Sequence, residues 1–373
     1  MKVIIETGQL LLIIPSYLQR DTHPWQAYLI FFAAVSVLLA LNVLCLWTRL
    51  DLGSDLLSFS VILDTLSTLS TFNVVVWFWY SGFKRKRLFL TFLKTFDDYK
   101  FGKFLKQSRI YAKIGNVLMY TTIFYALDCY SWLQIEPFQG YSTYILEKIE
   151  YIHTYCCLLL YCEIIEFIEL RFSKIASDLN KVIRDRKKKD RNSLRSVKLK
   201  IRSSIQDYII ATKQVDSFNK LFGTGIFFYY IDMLMGFVLG VNNGFILLNE
   251  RTVDKEDVAV KKIIVALCFA FAVMELLAGI KLAMTCRDVM TKLVEAGDAV
   301  FETLQEFSVM DDCAIALGIR HELVIFCKHT MDVQPFFSAG GFFKIDSTLL
   351  TDIINSVITY IVMLAQLNKT LST

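Results

Sequence analysis

Residues 262–285 read KIIVALCFAFAVMELLAGIKLAMT, and this stretch decides what kind of fold the chain adopts. Its interior, residues 263–280, contains a single charged side chain, Glu275. A helix needs about 20 mostly apolar residues to cross about 30 Å of hydrocarbon, where its backbone groups find partners only within the helix. The stretch therefore predicts a membrane-spanning helix.

Six further stretches of the same kind lie on either side of it. The chain has 55% apolar residues, a mean hydropathy of +0.46 and only 4 prolines, which favours long unbroken helices in a bilayer. The seven predicted spans cover 26–48, 57–81, 110–135, 141–170, 224–248, 262–285 and 345–367. The fourth is too long for the membrane alone, so we expect it to leave the lipid as a continuous helix. The sequence thus predicts an all-α, polytopic membrane protein with seven transmembrane helices.

The distribution of basic residues predicts the orientation of these spans. Lys and Arg accumulate in the cytoplasmic loops of membrane proteins. Segments 1–25, 84–109, 171–223 and 286–344 together contain 31 of the 40 Lys and Arg residues, whereas the segments on the opposite side contain six. We therefore expect a cytoplasmic N-terminus and an extracellular C-terminus, which is the reverse of a G-protein-coupled receptor.

Two long cytoplasmic segments are polar enough to leave the bilayer and yet show helical apolar spacing. In 286–344 this spacing joins Leu293, Val300, Leu304 and Phe307, followed by Leu317, Leu323, Val324 and Phe326. Such apolar faces need partners, so we expect a cytoplasmic bundle that joins subunits. The predicted organisation is spans 1–6 in 1–285, with a basic loop and helix extension in 171–223, anchor helices in 286–344 and the last span in 345–373.

The last predicted span carries a recognisable pattern at its start and its end. Residues 340–346 read GGFFKID, and residues 359–367 read TYIVMLAQL. This combination resembles the C-terminal signature of insect gustatory receptors, in which Thr-Tyr is followed by four or five apolar residues, Gln and usually Phe. The seven spans, the inverted topology and the basic loop between spans four and five agree with the resemblance.

The resemblance implies a ligand-gated cation channel in the plasma membrane of chemosensory neurons, assembled as a homo-tetramer or as a hetero-tetramer with related receptors. It also implies that span 7 of each subunit lines a central pore and that an outward-facing pocket binds a small-molecule tastant. Thr359, Tyr360 and Gln366 occupy the polar positions of the motif, while Leu367 stands where Phe is usual. The ligand stays open between sugars, bitter compounds and other small molecules.

Gln366 predicts a pore position independently of any family. A carboxamide in a spanning helix is costly when it faces lipid, so it should face water or another helix. Helical spacing puts Thr359, Met363, Gln366 and Leu367 on one face, where a polar ring and an apolar constriction would surround the same axis. The alternative is a glutamine that forms hydrogen bonds between the helices of a monomeric bundle.

Aromatic residues with a few polar neighbours occupy the outer halves of several predicted spans. Sites for small organic molecules are usually concave and mostly apolar, with a few polar groups that orient the ligand. The candidate pocket residues are Asp64, Tyr125, Asp128, Trp132, Tyr144, Tyr151, Tyr155 and Asn242. The alternatives are the interfacial belt of Tyr and Trp, and structural hydrogen bonds within the bundle for the polar residues.

Other classes of protein find little support in the sequence. His321 and Glu322 begin like a zinc-protease motif, but Ile325 stands where the second histidine ligand would be needed. We therefore expect no enzyme activity, no catalytic residues, no metal site and no cofactor. The small net charge of +4 implies no nucleic-acid partner, and membrane lipids are the expected surroundings. The alternative function is a metabotropic seven-helix receptor or a transporter without a four-fold pore.

Overall fold

The computed structural model describes residues 24–52, 59–85, 88–89, 91–92, 95, 107–134, 144–185, 191–249, 255–308 and 314–371. Within these residues the chain forms eight helices and one antiparallel pair of short strands. The helices are α1 (Pro24–Leu52), α2 (Phe59–Lys84), α3 (Gln107–Trp132), α4 (Ile145–Asp185), α5 (Arg191–Asn249), α6 (Lys255–Ser308), α7 (Ala314–Asp332) and α8 (Ser347–Leu371). The strands are β1 (Ser338–Ala339) and β2 (Phe343–Lys344), between α7 and α8.

Each of the seven predicted spans overlaps one of these helices, namely α1 to α6 and α8. By length and apolar composition alone, four helices in the described part of the chain suffice to cross a membrane: α1, α4, α5 and α6. In α8 the corresponding apolar segment is shorter, Ser347–Met363. The all-α class with several apolar helices, predicted from composition and periodicity, is therefore confirmed.

Helix α4 lies at the centre of the bundle, where it contacts α2, α3, α5 and α6. Of its segment Ile145–Arg184, 72% is buried, against 6% of Phe31–Thr48 in α1. The ring of Tyr161 packs edge to face on Phe78 of α2 at 5.2 Å and lies 4.6 Å from the ring of Phe222 in α5. The side chains of α4 thus form the core, and α1 is left at the periphery.

Three helices are much longer than a membrane crossing requires. Helices α4, α5 and α6 contain 41, 59 and 54 residues, where about 20 suffice to span the hydrocarbon. Their extensions pack with α7 around a second core, formed by Val182, Val197, Ile201, Phe307, Ile319 and Leu323. We call this assembly of three extensions and α7 the extramembrane bundle.

The apolar residues that recur at helical spacing in 286–344 lie partly inside the extramembrane bundle and partly on its outer surface. Leu293, Val300 and Phe307 are buried within the subunit, whereas Leu317 and Val324 remain exposed. The guanidinium of Arg320 donates from Nε to the carbonyl of Phe307 at 2.6 Å, which ties α7 to the end of α6. One subunit therefore covers part of the apolar surface itself, and the remainder faces outward.

A tight hairpin connects the extramembrane bundle to α8. Between its strands, Gly340 and Gly341 have φ values of +62° and +85°, a conformation that side chains with a Cβ rarely adopt. Asn219 of α5 binds the hairpin twice, by donating to the carbonyl of Phe336 at 2.6 Å and by accepting from the amide of Ser338 at 3.0 Å. The start of the last helix is thereby attached to α5.

We expect Gly223→Ala to weaken this attachment. A Cβ at Gly223 would lie 2.8 Å from the carbonyl oxygen of Ser338 and 2.9 Å from the amide nitrogen of Gly340, both rigid backbone atoms. The hairpin would have to shift, at a cost of about 2 kcal/mol in the free energy of unfolding. Thermal unfolding of the purified protein in detergent measures the effect.

Gly297→Ala is the matched control, because nothing lies within 4 Å of a Cβ at that position in α6. Alanine is the better helix former, so this variant should be as stable as the parent or slightly more stable. Equal melting temperatures for the two variants would contradict a tight approach of the hairpin at Gly223.

Candidate functional site

Four aromatic side chains from three helices meet in one buried cluster. Tyr125 of α3, Tyr151 and Tyr155 of α4 and Phe271 of α6 are each less than 10% exposed, and the ring of Tyr151 meets that of Phe271 edge to face at 5.1 Å. The partly buried side chains around them are Val117, Phe124, Ile152, Met274 and Ala278. We call this group the aromatic cluster. Its four side chains are packed together and mostly apolar, and their polar atoms are the three tyrosine hydroxyls.

Two of the three tyrosine hydroxyl groups of the aromatic cluster are oriented by partners on neighbouring helices. The Tyr151 hydroxyl lies 2.9 Å from Ser67 Oγ of α2, and the Tyr155 hydroxyl donates to Glu275 Oε1 of α6 at 2.5 Å. Both hydrogen bonds are buried, where a lost partner costs more than in water. They fix the two tyrosine rings in place and connect α4 to α2 and α6.

An ion pair between the half-buried Lys148 and the buried Asp128 lies beside the aromatic cluster. Lys148 Nζ is 3.5 Å from Asp128 Oδ2 and lies over the rings of Tyr125 and Phe271, 5.4 and 5.5 Å from their centroids. Cation–π attraction of this kind adds to the ion pair when both are shielded from water. The lysine thus brings a carboxylate and two aromatic faces together at one point, a combination able to orient a small polar ligand.

Two further buried carboxyl groups accept hydrogen bonds from α2. Thr71 of α2 donates to Asp232 Oδ1 of α5 at 2.9 Å, and Thr68 donates to Glu147 Oε2 of α4 at 3.5 Å. Asp232 is 1% exposed and Glu147 is 3% exposed. Hydrogen bonds between helices account for the tolerance of these groups inside a membrane bundle. Among the described residues, no group of three or more His, Cys, Asp and Glu is placed to bind a metal ion.

The structure brings four of the eight candidate pocket residues together: Tyr125, Asp128, Tyr151 and Tyr155. The other four lie outside the aromatic cluster. Asp64, Trp132 and Tyr144 are half-buried, and Asn242 is buried in α5, where its Nδ2 has no hydrogen-bond partner in the described part of the chain. The outer-span residues predicted from the sequence are thus split between one compact group and scattered positions.

Sequence reasoning missed Ser67, Lys148 and Phe271, which complete the surroundings of the aromatic cluster. One feature of the sequence could have identified Lys148: it is a basic residue among tyrosines at the start of a span, and such a residue needs an acidic partner. Ser67 and Phe271 had no such feature. Each lies on a helix distant in sequence from α4, and only the packing of the helices determines which face is turned inward.

Helix α8 presents two different faces. Ile353 and Val357 are buried against the subunit, and the Tyr360 hydroxyl on the same face donates to the carbonyl of Val238 in α5 at 3.5 Å. The rest of the helix surface is exposed and includes the apolar Ile358 and Val362, and one line along it carries Asp352, Asn355, Thr359, Met363 and Gln366 at intervals of three or four residues. We call this series the outer stripe. Four of its five side chains are polar, although α8 as a whole is apolar.

The predicted pore residues separate between these two faces. Thr359, Met363 and Gln366 share the exposed outer stripe, as the helical spacing predicted. Tyr360 does not join them, because residue 360 lies about 100° further around the helix and its ring packs against the core of its own subunit. Within the subunit this ring packs between α8 and α5, and its place in the pore stays a prediction. The side chain of Leu367 lies outside the described residues.

Comparison with known proteins adds two findings. The family model described as 7tm Chemosensory receptor matches residues 15–370. The fold is similar to the insect olfactory receptor OR5 from Machilis hrabei, with a TM-score of 0.67 and 12% identity for its complex with eugenol, and 0.63 and 13% for another structure of that receptor. Each alignment covers 98% of both chains. No curated protein matches the sequence.

We expect Tyr155→Phe to lower the stability of the bundle. The substitution keeps the ring and removes the hydroxyl that donates to Glu275, a residue only 1% exposed. A buried acceptor that loses its donor costs about 1–3 kcal/mol, which thermal unfolding in detergent detects. Tyr130→Phe is the matched control, because Tyr130 is 66% exposed and should tolerate the change. A melting temperature of Tyr155→Phe equal to that of the control would contradict the structural role of this hydrogen bond.

Proposed function

The chain belongs to the 7tm chemosensory receptor family, and from that membership we propose that it is a gustatory receptor working as a ligand-gated, non-selective cation channel. A small organic tastant opens the channel, and α8 of four subunits lines the pore. The receptor acts in the plasma membrane of chemosensory neurons. Members of a chemosensory family need a device that converts binding into a signal, and an intrinsic pore is the device that the residues of α8 favour.

The observation that carries this proposal is the outer stripe. Its exposed side chains include the hydroxyl of Thr359 and the carboxamide of Gln366, on a helix whose other face is buried against the subunit. Polar groups in a membrane-spanning helix are expensive when they contact lipid, so the stripe requires water or other polar groups. Four copies of α8 around a central axis supply both.

The order of residues along the outer stripe fits a gate. Met363 lies between Thr359 and Gln366, so one apolar ring is flanked by two polar rings. A hydrophobic constriction closes a pore by excluding water, and neighbouring polar rings let a partly hydrated ion pass once it widens. Leu367, one residue beyond Gln366, adds a second apolar ring on the other side of that polar ring in this proposal, as its position in the motif suggests.

The aromatic cluster is the proposed binding site of the tastant. It combines apolar walls with the hydroxyls of Tyr151 and Tyr155 and with the ion pair of Lys148 and Asp128. The related OR5 has been solved in complex with eugenol, a small odorant, which supports a small organic ligand here. Bitter compounds fit the mostly apolar surroundings better than sugars, whose many hydroxyl groups need more polar partners.

Exposed apolar side chains on the extramembrane bundle support assembly. Helix α6 exposes Val294 and Phe301, and α7 exposes Leu317, Val324 and Ile325. Apolar patches of this kind outside a bilayer usually mark contacts between proteins. We propose that they join four subunits below the membrane, in a homo-tetramer or in a hetero-tetramer with related receptors.

Whole-cell recording tests the proposed function directly. Cells expressing the chain, alone and together with related receptors, are exposed to a panel of bitter and sugar compounds while currents are recorded. We expect at least one compound to evoke a cation current, and subunit counting by single-molecule photobleaching to give four. A chain that reaches the surface as a monomer and responds without a current would instead favour a metabotropic receptor.

We expect Gln366→Ala to change current amplitude or ion selectivity at an unchanged surface level. The substitution removes one polar ring next to the constriction and leaves the buried face of α8 intact. Gln305→Ala is the matched control, because Gln305 is exposed on α6 in the extramembrane bundle. Unaltered permeation in Gln366→Ala would remove this residue from the pore.

We expect Asp128→Ala to shift the dose response of the activating compound to higher concentration. The change breaks the ion pair with Lys148 beside the aromatic cluster. Asp216→Ala is the control, since Asp216 forms an exposed pair with Lys220 on the extramembrane part of α5. Surface biotinylation accompanies both measurements, and a response lost only through a reduced surface level would assign Asp128 to folding.

A further inference from the structure

One carboxylate stands out on the exposed face of α8. Among the α8 side chains that the structure describes, Asp352 is the one charged group, and it is exposed. Its backbone carbonyl accepts a hydrogen bond from Ser356, but the carboxylate has no hydrogen-bond or ion-pair partner among the described residues of its own subunit. Unlike Asp128 or Asp232, this acidic group is not explained by packing within the subunit.

Asp352 lies in line with the proposed pore residues. It precedes Thr359 by seven residues and Gln366 by 14, so the three positions stay within about 40° of each other around the helix. Along the helix axis, about 21 Å separate Asp352 from Gln366. The carboxylate therefore belongs to the same outer stripe, at the end of α8 nearer the extramembrane bundle.

The free-energy cost of an ionised carboxylate in lipid limits which surroundings the Asp352 side chain can have. An ionised carboxylate within a spanning helix costs several kcal/mol when it faces lipid and is tolerated where it faces water or a counter-ion. The position lies seven residues inside the predicted last span, 345–367. A water-filled axis between subunits satisfies the carboxylate without any partner from its own subunit, and Asp352 shares the outer stripe that the proposed function places at that axis.

Asp346, six residues earlier, has a different explanation. Its Oδ1 accepts hydrogen bonds from the backbone amides of Thr348 at 2.9 Å and Leu349 at 3.3 Å, so it caps the first turn of α8. This carboxylate is used locally and is off the outer stripe. The chain thus offers two aspartates near the start of one helix, of which one is used as a cap and the other is left to solvent.

We propose that the Asp352 carboxylates of four subunits form an acidic ring that concentrates inorganic cations at the inner end of the pore and sets its conductance. The inference rests on the proposed function, because the ring exists only if four copies of α8 surround an axis. Rings of Asp or Glu serve cation channels in this way, since a narrow passage with one sign of charge raises the local concentration of counter-ions.

Single-channel recording of Asp352→Asn tests the ring. We expect the unitary conductance to fall by about two-fold at low salt, and by less at high salt, because mobile ions screen the ring. Asp346→Asn is the matched control: it removes the same charge six residues earlier, and asparagine preserves the helix cap. Its conductance should equal that of the parent.

Charge restoration at the same position provides the second measurement. In Asp352→Cys, a negatively charged methanethiosulfonate reagent should return the conductance toward the parent value, and a positively charged one should lower it further. The parent chain treated with both reagents controls for its nine native cysteines. Asp352→Glu, which keeps the charge, serves if the asparagine variant does not reach the surface, and its conductance should match the parent.

The outcomes separate this inference from the proposed function. If the parent chain conducts and neither Asp352→Asn nor the modified cysteine alters the unitary conductance, the proposal of an acidic ring is overturned. The proposal that the chain is a channel is then unaffected. If both Asp352→Asn and Asp346→Asn lower the conductance equally, the effect belongs to the general field at the end of the helix, which also overturns the ring. A parent chain with no ligand-evoked current overturns the proposed function and the ring together.

Discussion

The cost of a polar group in hydrocarbon is the constraint on which this structure depends. Every such group in the bundle must find a partner on another helix or reach water. Asp232 meets this requirement through Thr71, and Glu275 through Tyr155, so the helices that supply these partners are joined in one arrangement. On the outer stripe of α8, Thr359 donates to the carbonyl of Asn355 within the same helix and Asp352 is exposed, which is why we propose that this face meets water rather than a neighbouring helix of its own subunit.

The proposed binding site and the proposed pore lie in separate parts of the molecule but share helices. The aromatic cluster uses α3, α4 and α6, while α8 packs against α5 and α6 and is attached to α5 by the hairpin at Asn219. Helix α6 also extends into the extramembrane bundle. Helix α6 therefore connects Glu275 both to the extramembrane bundle and to the helix that we propose to line the pore.

The sequence predicted some residues of the site and missed others for a physical reason. Tyr151 and Tyr155 were found because four residues of helical spacing put them on one face of a single span. Lys148 and Phe271 were missed because their role depends on how α4 is rotated against α3 and α6. The motif predicted Tyr360 as a pore residue, and only the packing of α8 on α5 shows that, about 100° from Thr359 around the helix, its hydroxyl contacts Val238 within the subunit.

By itself, the sequence determined that the protein lies in a lipid bilayer, that it is all-α and where each span approximately lies. It also determined the resemblance to a chemoreceptor family. These features depend on local properties, namely the length of apolar stretches, the basic loops and a short motif, and local properties can be identified from the sequence alone. Only the tertiary structure decided which tyrosines share a cluster, which carboxylates are satisfied and which face of α8 remains exposed. Those features depend on the rotation and depth of each helix against its neighbours, which result from packing between residues far apart in the sequence.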